Sequence, residues 1–149
     1  MAIGDICNRE VVYVNRDVTV HAASKLMRHY HVGSLVVVDE AEGKRVPVGI
    51  VTDRDIVVEI DAMDLDAKVI TVGDIMNQEL ALVPESQGVL ETLEVMRAKG
   101  VRRMPIVDSD SRLVGIVSID DLLEVLAEEL TDIAHIVSRG QTRERQARR

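Results

Sequence analysis

The chain is written twice, and that duplication limits its folds more than any other feature. Shifted by 69 positions, IGDICNRE (3–10) falls on VGDIMNQE (72–79), and LMRHYHV (26–32) falls on VMRAKGV (95–101). Val14 falls on Val83, Val20 on Val89, and Val38-Asp39 on Val107-Asp108. The offset then drops to 66, and VGIVTDRD (48–55) meets VGIVSIDD (114–121). The change of three predicts a shorter polar loop in the second half, SDSRL (109–113) against EAEGKRVP (40–47). Two copies are too few for a solenoid, which needs three or more. Each is too small to bury a sufficient core by itself. The expected arrangement is therefore two half-domains packed on one another. Residues 1–60 form the first, 61–71 an acidic linker, 72–130 the second, and 131–149 a helix extension with a basic, flexible tail.

Hydropathy gives each copy a β-α-β-β-α order and the protein an α/β (α+β) class. Short strands are expected near Val11–Val14 and Leu80–Val83. Val20, Ala23 and Met27, and likewise Val89, Leu93 and Met96, recur at helical spacing. The unbroken apolar runs Leu35–Val38 and Met104–Val107 read as strands covered on both faces. Second such strands follow at Val48–Val51 and Val114–Val117, and Thr52 and Ser118 open the closing helices. In the last helix Ile119, Leu123, Leu126, Leu130, Ile133 and Val137 step by four and three, a heptad seam. Its first half is expected to pack on its own sheet. Beyond Leu130 it outruns the repeat, and a homodimer contact is expected there.

Composition narrows the chemistry. Hydrophobic residues make up 46% and charged residues 30% of the chain, enough for an aliphatic core in a globular protein. There is no Trp or Phe and only Tyr13 and Tyr30, so stacking platforms for single-stranded nucleic acid are absent. A net charge of -8 opposes a phosphate-backbone footprint, so no nucleic-acid partner is expected. Arg143, Arg145, Arg148 and Arg149 give the tail a local excess of positive charge, read as a solvated end. No apolar run is long enough for a membrane span, and no signal peptide is evident, so a cytoplasmic protein is expected. Cys7, the only cysteine, reads as a packed thiol, not a nucleophile. His29 and His31, two apart on a predicted helix, do not converge on a metal. Gly49 and Gly115 mark places where backbones approach closely.

The junction GIVTDRDIV (49–57) carries the candidate chemistry. T-x-x-D and S-x-x-D are helix starts: the hydroxyl of Thr52 or Ser118 caps, and Asp55 or Asp121 stands at the third helical position. Taken alone, they read first as caps. Two details favour a ligand. Aspartate is shorter than the glutamate a capping box prefers, which is expected to leave its carboxylate freer for ribose hydroxyls. Arg54 sits between the acids, where a helix start and a guanidinium can seat phosphate.

The duplicated GDI(C/M)N, VD and GIV(T/S)xxD segments, in this order twice, resemble a pair of CBS domains, named for cystathionine β-synthase. The resemblance spans nearly all of residues 1–137. It implies two sheets packed about a pseudo-two-fold axis, with two clefts that in ligand-binding members take AMP, ADP, ATP, NAD or S-adenosylmethionine. It also implies dimerisation through helices. Carried onto this sequence, Thr52, Arg54 and Asp55 hold ribose and phosphate in the first cleft. Val12, Val14, Gly33, Ser34 and Leu35 are expected around the adenine, with Arg102 and Arg103 closing over the phosphates. The second cleft would use Ser118 and Asp121, with Val83, Met104 and Pro105 near the base. There Asp120 replaces Arg54, and Gly33-Ser34 stand where the first cleft has two arginines. An added carboxylate opposes a polyphosphate, so the first cleft is expected to bind anions better.

The expected function is a stand-alone, non-enzymatic sensor that binds an adenine nucleotide, with Mg2+ accompanying ATP, and signals in trans to a protein effector. No cofactor is obligatory. The competing reading is a ligand-independent dimeric scaffold, with S-adenosylmethionine as a lesser ligand alternative.

Overall fold

A computed structural model describes residues 1–148; Arg149 lies outside them. Each copy begins with one helical turn, α1 (Ile3–Ile6) or α4 (Val72–Ile75), ahead of the expected β-α-β-β-α order. The first continues through β1 (Tyr13–Asn15), α2 (Val20–Tyr30), β2 (Ser34–Ala41), β3 (Lys44–Thr52) and α3 (Asp53–Ile56), the last running into a π-helical turn at Val57–Asp61. The second continues through β4 (Val83–Pro84), α5 (Val89–Lys99), β5 (Arg103–Val107), β6 (Leu113–Ser118) and α6 (Ile119–Ala147). Two three-stranded sheets result, ordered β1-β2-β3 and β4-β5-β6, with the middle strand parallel to the first and antiparallel to the third.

The middle strands are covered on both faces, as their unbroken apolar runs predict: Leu35 through Val38 and Met104 through Val107 are all buried. The helices between the strands end alike, His31 and Gly100 both adopting the left-handed conformation that closes a helix. His31 thus lies past the end of α2, which stops at Tyr30.

The loop expected at 40–47 is a two-residue turn. Glu42 and Gly43 have φ of 53° and 73°, the positive pair of a tight hairpin, and the flanking residues belong to strands. The three extra residues of the first copy therefore lengthen its hairpin. The first strands also start later than expected, at Tyr13 and Val83, because the residues before them cross between the two halves.

That crossing organises the molecule. Ile3 packs with Val83, Val89, Met96, Met104, Ile106, Val117 and Leu122, in the core of the second copy. Val72 and Met76 pack with Val14, Ala23, Met27, Leu35, Val37 and Val51, in the core of the first. The backbone bonds repeat this exchange symmetrically. Ile3 N–H donates to Gln87 O at 2.7 Å and Gly4 N–H to Glu85 O at 2.9 Å. Val72 N–H donates to Val18 O at 2.8 Å and Gly73 N–H to Arg16 O at 2.9 Å. A β-carbon on Gly4 would lie 2.9 Å from Glu85 O, and one on Gly73 2.7 Å from Arg16 O, so both crossings need glycine. Close approach also holds at Gly49, against Met76 and Asn77, and at Gly115, against Cys7 and Asn8. Burial pushes the Cys7 thiol above its ordinary value, which keeps it protonated and packed.

Helix α6 departs from expectation twice. Its core contact is Leu122, fully buried, while Leu123 of the predicted seam is 64% exposed. The stripe facing the sheet is thus rotated from the heptad seam by about one residue, roughly 100°. The tail expected to be flexible continues as helix through Ala147. No helix among the described residues is long and apolar enough to cross a membrane.

Candidate functional site

Thr52 ends β3 with extended backbone (φ −114°, ψ 162°) and caps α3. Its hydroxyl oxygen accepts the Asp55 N–H at 3.1 Å, and Asp55 Oδ2 accepts the Thr52 N–H at 2.8 Å. Ser118 and Asp121 repeat the arrangement at 3.2 and 2.8 Å. Aspartate therefore closes the box in both copies, although it is shorter than the glutamate such a box prefers. The cap N–H sits directly below the third helical position, so a short, straight side chain suffices.

The copies differ in what is left over. The Ser118 hydroxyl also lies 2.7 Å from Asp121 Oδ2 and donates to it. Thr52 makes no such bond to Asp55, and Asp55 Oδ1 has no hydrogen-bond partner among the described residues. The first junction thus retains an unused donor and an unused carboxylate oxygen.

Thr52 and Asp55 line a cleft of about 350 Å³ between the two halves. Ile50, Thr52, Asp53, Arg54 and Asp55 form one wall; Asn77, Glu79, Leu80, Ala81, Val101, Arg102 and Arg103 form the other. The structure brings Thr52, Arg54 and Asp55 together with Arg102 and Arg103 around this cleft. Arg102 reaches Asp120 at only 4.0 Å with both side chains well exposed, a weak pairing. Arg54 and Arg103 form no ion pair among the described residues. Asp53 is held by its neighbours: its N–H donates to Gly33 O at 2.9 Å, and its Oδ1 accepts the Arg54 N–H at 2.8 Å.

The expected apolar wall lies elsewhere. Val14 and Leu35 are buried in the first core, and Gly33 and Ser34 do not line the cleft; Gly33 instead makes room for Asp53, whose Oδ2 would lie 3.1 Å from a β-carbon there. Val12 lines a separate groove with Asn8, Glu10, Val11, Tyr13, Leu26, Tyr30 and Val32. In the duplication Asn8, Glu10, Val11, Val12 and Val32 match Asn77, Glu79, Leu80, Ala81 and Val101, so Val12 belongs to the side of Ser118 and Asp121. Val83, Met104 and Pro105, expected in that second cleft, are buried in the core.

The exchange of segments explains these displacements. Asn77 N–H donates to Ile50 O at 3.0 Å, and Asn8 N–H to Ile116 O at 2.9 Å, fastening each crossing segment to the other copy's last strand. The Asn77 and Asn8 side chains then accept the N–H of Glu79 and Glu10, at 3.0 and 2.9 Å, and turn the chain into the cleft wall. The duplicated N-x-E of NRE and NQE was the available sequence signal for Asn77, Glu79, Leu80 and Ala81.

Comparisons with known proteins agree with this geometry. The family model described as CBS domain matches residues 3–62 and 72–128. An uncharacterized protein of Methanopyrus kandleri is 34% identical over 125 residues, which are 84% of this chain and 62% of that protein. The chain thus spans less than two thirds of that relative's length. Among solved structures, the hexameric CBS-CP12 protein from bloom-forming cyanobacteria aligns with a TM-score of 0.72 at 31% identity, over 83% of this chain and 69% of that one. The CBS domain pair of protein MJ0100, in complex with 5′-methylthioadenosine and S-adenosyl-L-methionine, shares the fold at a TM-score of 0.72 and 24% identity, over 87% and 98% of the two chains.

Proposed function

Because the chain belongs to the CBS-domain family, with one copy in each half, we propose that it is a regulatory module that binds an anionic adenine nucleotide between its halves. The observation that carries this reading is the meeting of Thr52, Arg54 and Asp55 with Arg102 and Arg103 across one cleft. Asp55 Oδ1 accepts from ribose hydroxyls, and the Thr52 hydroxyl donates to ribose or phosphate. Arg54, Arg102 and Arg103 meet the phosphates, a task suited to guanidinium forks. Ile50, Leu80, Ala81 and Val101 hold the base. AMP, ADP, ATP and NAD fit this distribution. S-adenosylmethionine, whose sulfonium is cationic, fits three arginines less well. Binding ties the two halves together and passes a change in shape to a protein effector in trans. No reaction is part of this reading.

A thermal-shift series with AMP, ADP, ATP with and without Mg2+, NAD and S-adenosylmethionine tests it. At a hundred times Kd a ligand stabilises by about 2.7 kcal/mol, roughly 5–10 °C for a chain of this size. No shift with any of them at millimolar concentration would sink the proposal. A ligand-independent dimeric scaffold is favoured by one observation, the complete capping boxes at both junctions, which give Asp55 and Asp121 a structural task without any ligand. Self-association belongs to both readings, since the heptad seam leaves Leu123, Leu130, Ile133 and Val137 open.

A further inference from the structure

Arg102 belongs to two places at once. It lines the cleft, and its backbone holds the start of α6. Ile119 N–H, the first of that helix, donates to Arg102 O at 2.8 Å, and the next residue, Arg103, stands opposite Ser118 in the β5–β6 ladder. The Arg102 guanidinium also lies 4.0 Å from the carboxylate of Asp120, in the first turn of α6. Asp120 itself lines neither the cleft nor the groove of Val12.

The same joint exists in the first copy without the charges. There Asp53 N–H donates to Gly33 O at 2.9 Å, and Ser34 stands opposite Thr52. In the duplication Gly33 matches Arg102, and Arg54 matches Asp120. Glycine has no side chain to offer Arg54. The joint therefore forms without an ion pair, and the pair in the second copy is an addition that the fold does not require. At 4.0 Å, with side chains 79% and 78% exposed, it contributes little to stability. The helix macrodipole accounts for an acid at Asp120. It does not account for an arginine of the cleft beside that acid. What the pair does is occupy Arg102. A guanidinium offered both a lone carboxylate and phosphate oxygens goes to the phosphate, which carries more charge and matches its fork.

We infer that Asp120 is a built-in competitor for the first cleft: ligand phosphate and the start of α6 share Arg102, and filling the cleft releases Asp120. Asp120 is thus a positioning residue, which draws Arg102 aside until an anion arrives. The inference rests on the reading of Arg102 as a partner of ligand phosphate, and not on recognition of adenine. Its carboxylate opposes anions in the first cleft, although the duplication pairs its position with the second. A weak pair suits this task, because a strong one would withhold the arginine. The coupling is reciprocal, so the factor by which Asp120 weakens anion binding is the factor by which the anion weakens the hold of Arg102 on α6.

Calorimetric titration of the full chain with pyrophosphate and with ADP tests it. Asp120→Asn, at an exposed position, is expected to lower both Kd values about two- to fivefold. The same substitution is expected to change neither in an Arg102→Ala background and to keep its gain in an Arg54→Ala background. A general loss of negative charge would act in both backgrounds, so the cycle isolates the pair. In amide proton–nitrogen correlation spectra, pyrophosphate is expected to shift the Asp120 signal of the wild type. Arg102→Ala removes that shift while binding persists through Arg54 and Arg103. An unchanged or raised Kd in Asp120→Asn overturns the inference, as does an equal gain in the Arg102→Ala background. Binding of pyrophosphate without ADP sinks the nucleotide reading, and the pyrophosphate cycle then decides the inference alone. Failure of both anions to bind overturns the two together.

Discussion

Asp55→Ala and Asp121→Ala separate the cap from the clamp. Each removes a carboxylate that accepts the N–H of its own cap residue at 2.8 Å. Loss of such an N-terminal box costs about 0.5–2 kcal/mol, a fall in Tm of roughly 1–8 °C for a chain of this size. Asp121→Ala also frees the Ser118 hydroxyl that donates to Asp121 at 2.7 Å, so its fall is the larger of the two. Binding should not follow stability. Asp55 has a spare oxygen and lines the cleft of about 350 Å³, and a hydrogen bond to a charged acceptor is worth about 1.5–3 kcal/mol. Its removal therefore raises the Kd of the nucleotide about 10- to 150-fold. Asp121 does not line that cleft, and its removal should leave Kd within about twofold. Calorimetric titration gives the Kd values, and thermal melts of each unliganded variant give the stability. Equal loss of binding in both variants would refute the reasoning, as would full loss in Asp121→Ala with Asp55→Ala intact.

Other outcomes follow from the same structure. Leu122→Ala, at a fully buried position, should cost about 2–5 kcal/mol in urea unfolding, while Leu123→Ala, 64% exposed, should stay within about 0.5 kcal/mol in a monomeric background; equal costs would place α6 wrongly. Gly73→Ala must displace the Arg16 carbonyl and should destabilise by about 1–3 kcal/mol, whereas Gly140→Ala, with nothing within 4 Å, should stabilise α6 by up to about 1 kcal/mol, both read from urea midpoints. Asp39 is held below the usual carboxylate range by hydrogen bonds from Arg16, and Asp74 by the Thr71 N–H and hydroxyl. A lowered folded value stabilises above the unfolded value near 4 and is lost as pH falls through the folded one. Melts should therefore show Asp39→Asn and Asp74→Asn below wild type at neutral pH, with the gap closing below about pH 4; a gap that widens in acid would contradict the sign.

The capping positions were legible because a cap is local. Thr52 and Ser118 meet backbone N–H groups three residues away, and residue type with spacing suffices to read that. The partners of Thr52 across the cleft were half legible. Arg102 and Arg103 stand out as charges beside an apolar strand, but Leu80, Ala81 and Val101 look like any other hydrophobic residues. Val12 and Leu80 occupy near-equivalent places in the two copies, and nothing within either copy says which cleft each one faces. The heptad count also misjudged α6. Leu122 and Leu123 are adjacent, and which of them meets the sheet depends on the angle at which the helix leaves Ser118.

The sequence by itself determined the duplication, the family, the order of elements, the doubly covered middle strands and both helix starts. All of these rest on periodicity, residue type or hydrogen bonds that span a few residues. Tertiary structure decided that the first segment of each copy packs in the other copy's core, through contacts such as Ile3 N–H to Gln87 O and Val72 N–H to Val18 O. It thereby decided which residues face Asp55. Two identical patterns can pair within a copy or across copies with the same local chemistry. Only the joint packing of Ile3 and Val72 into the two cores, with Gly4 and Gly73 letting the backbones touch, selects the crossed arrangement.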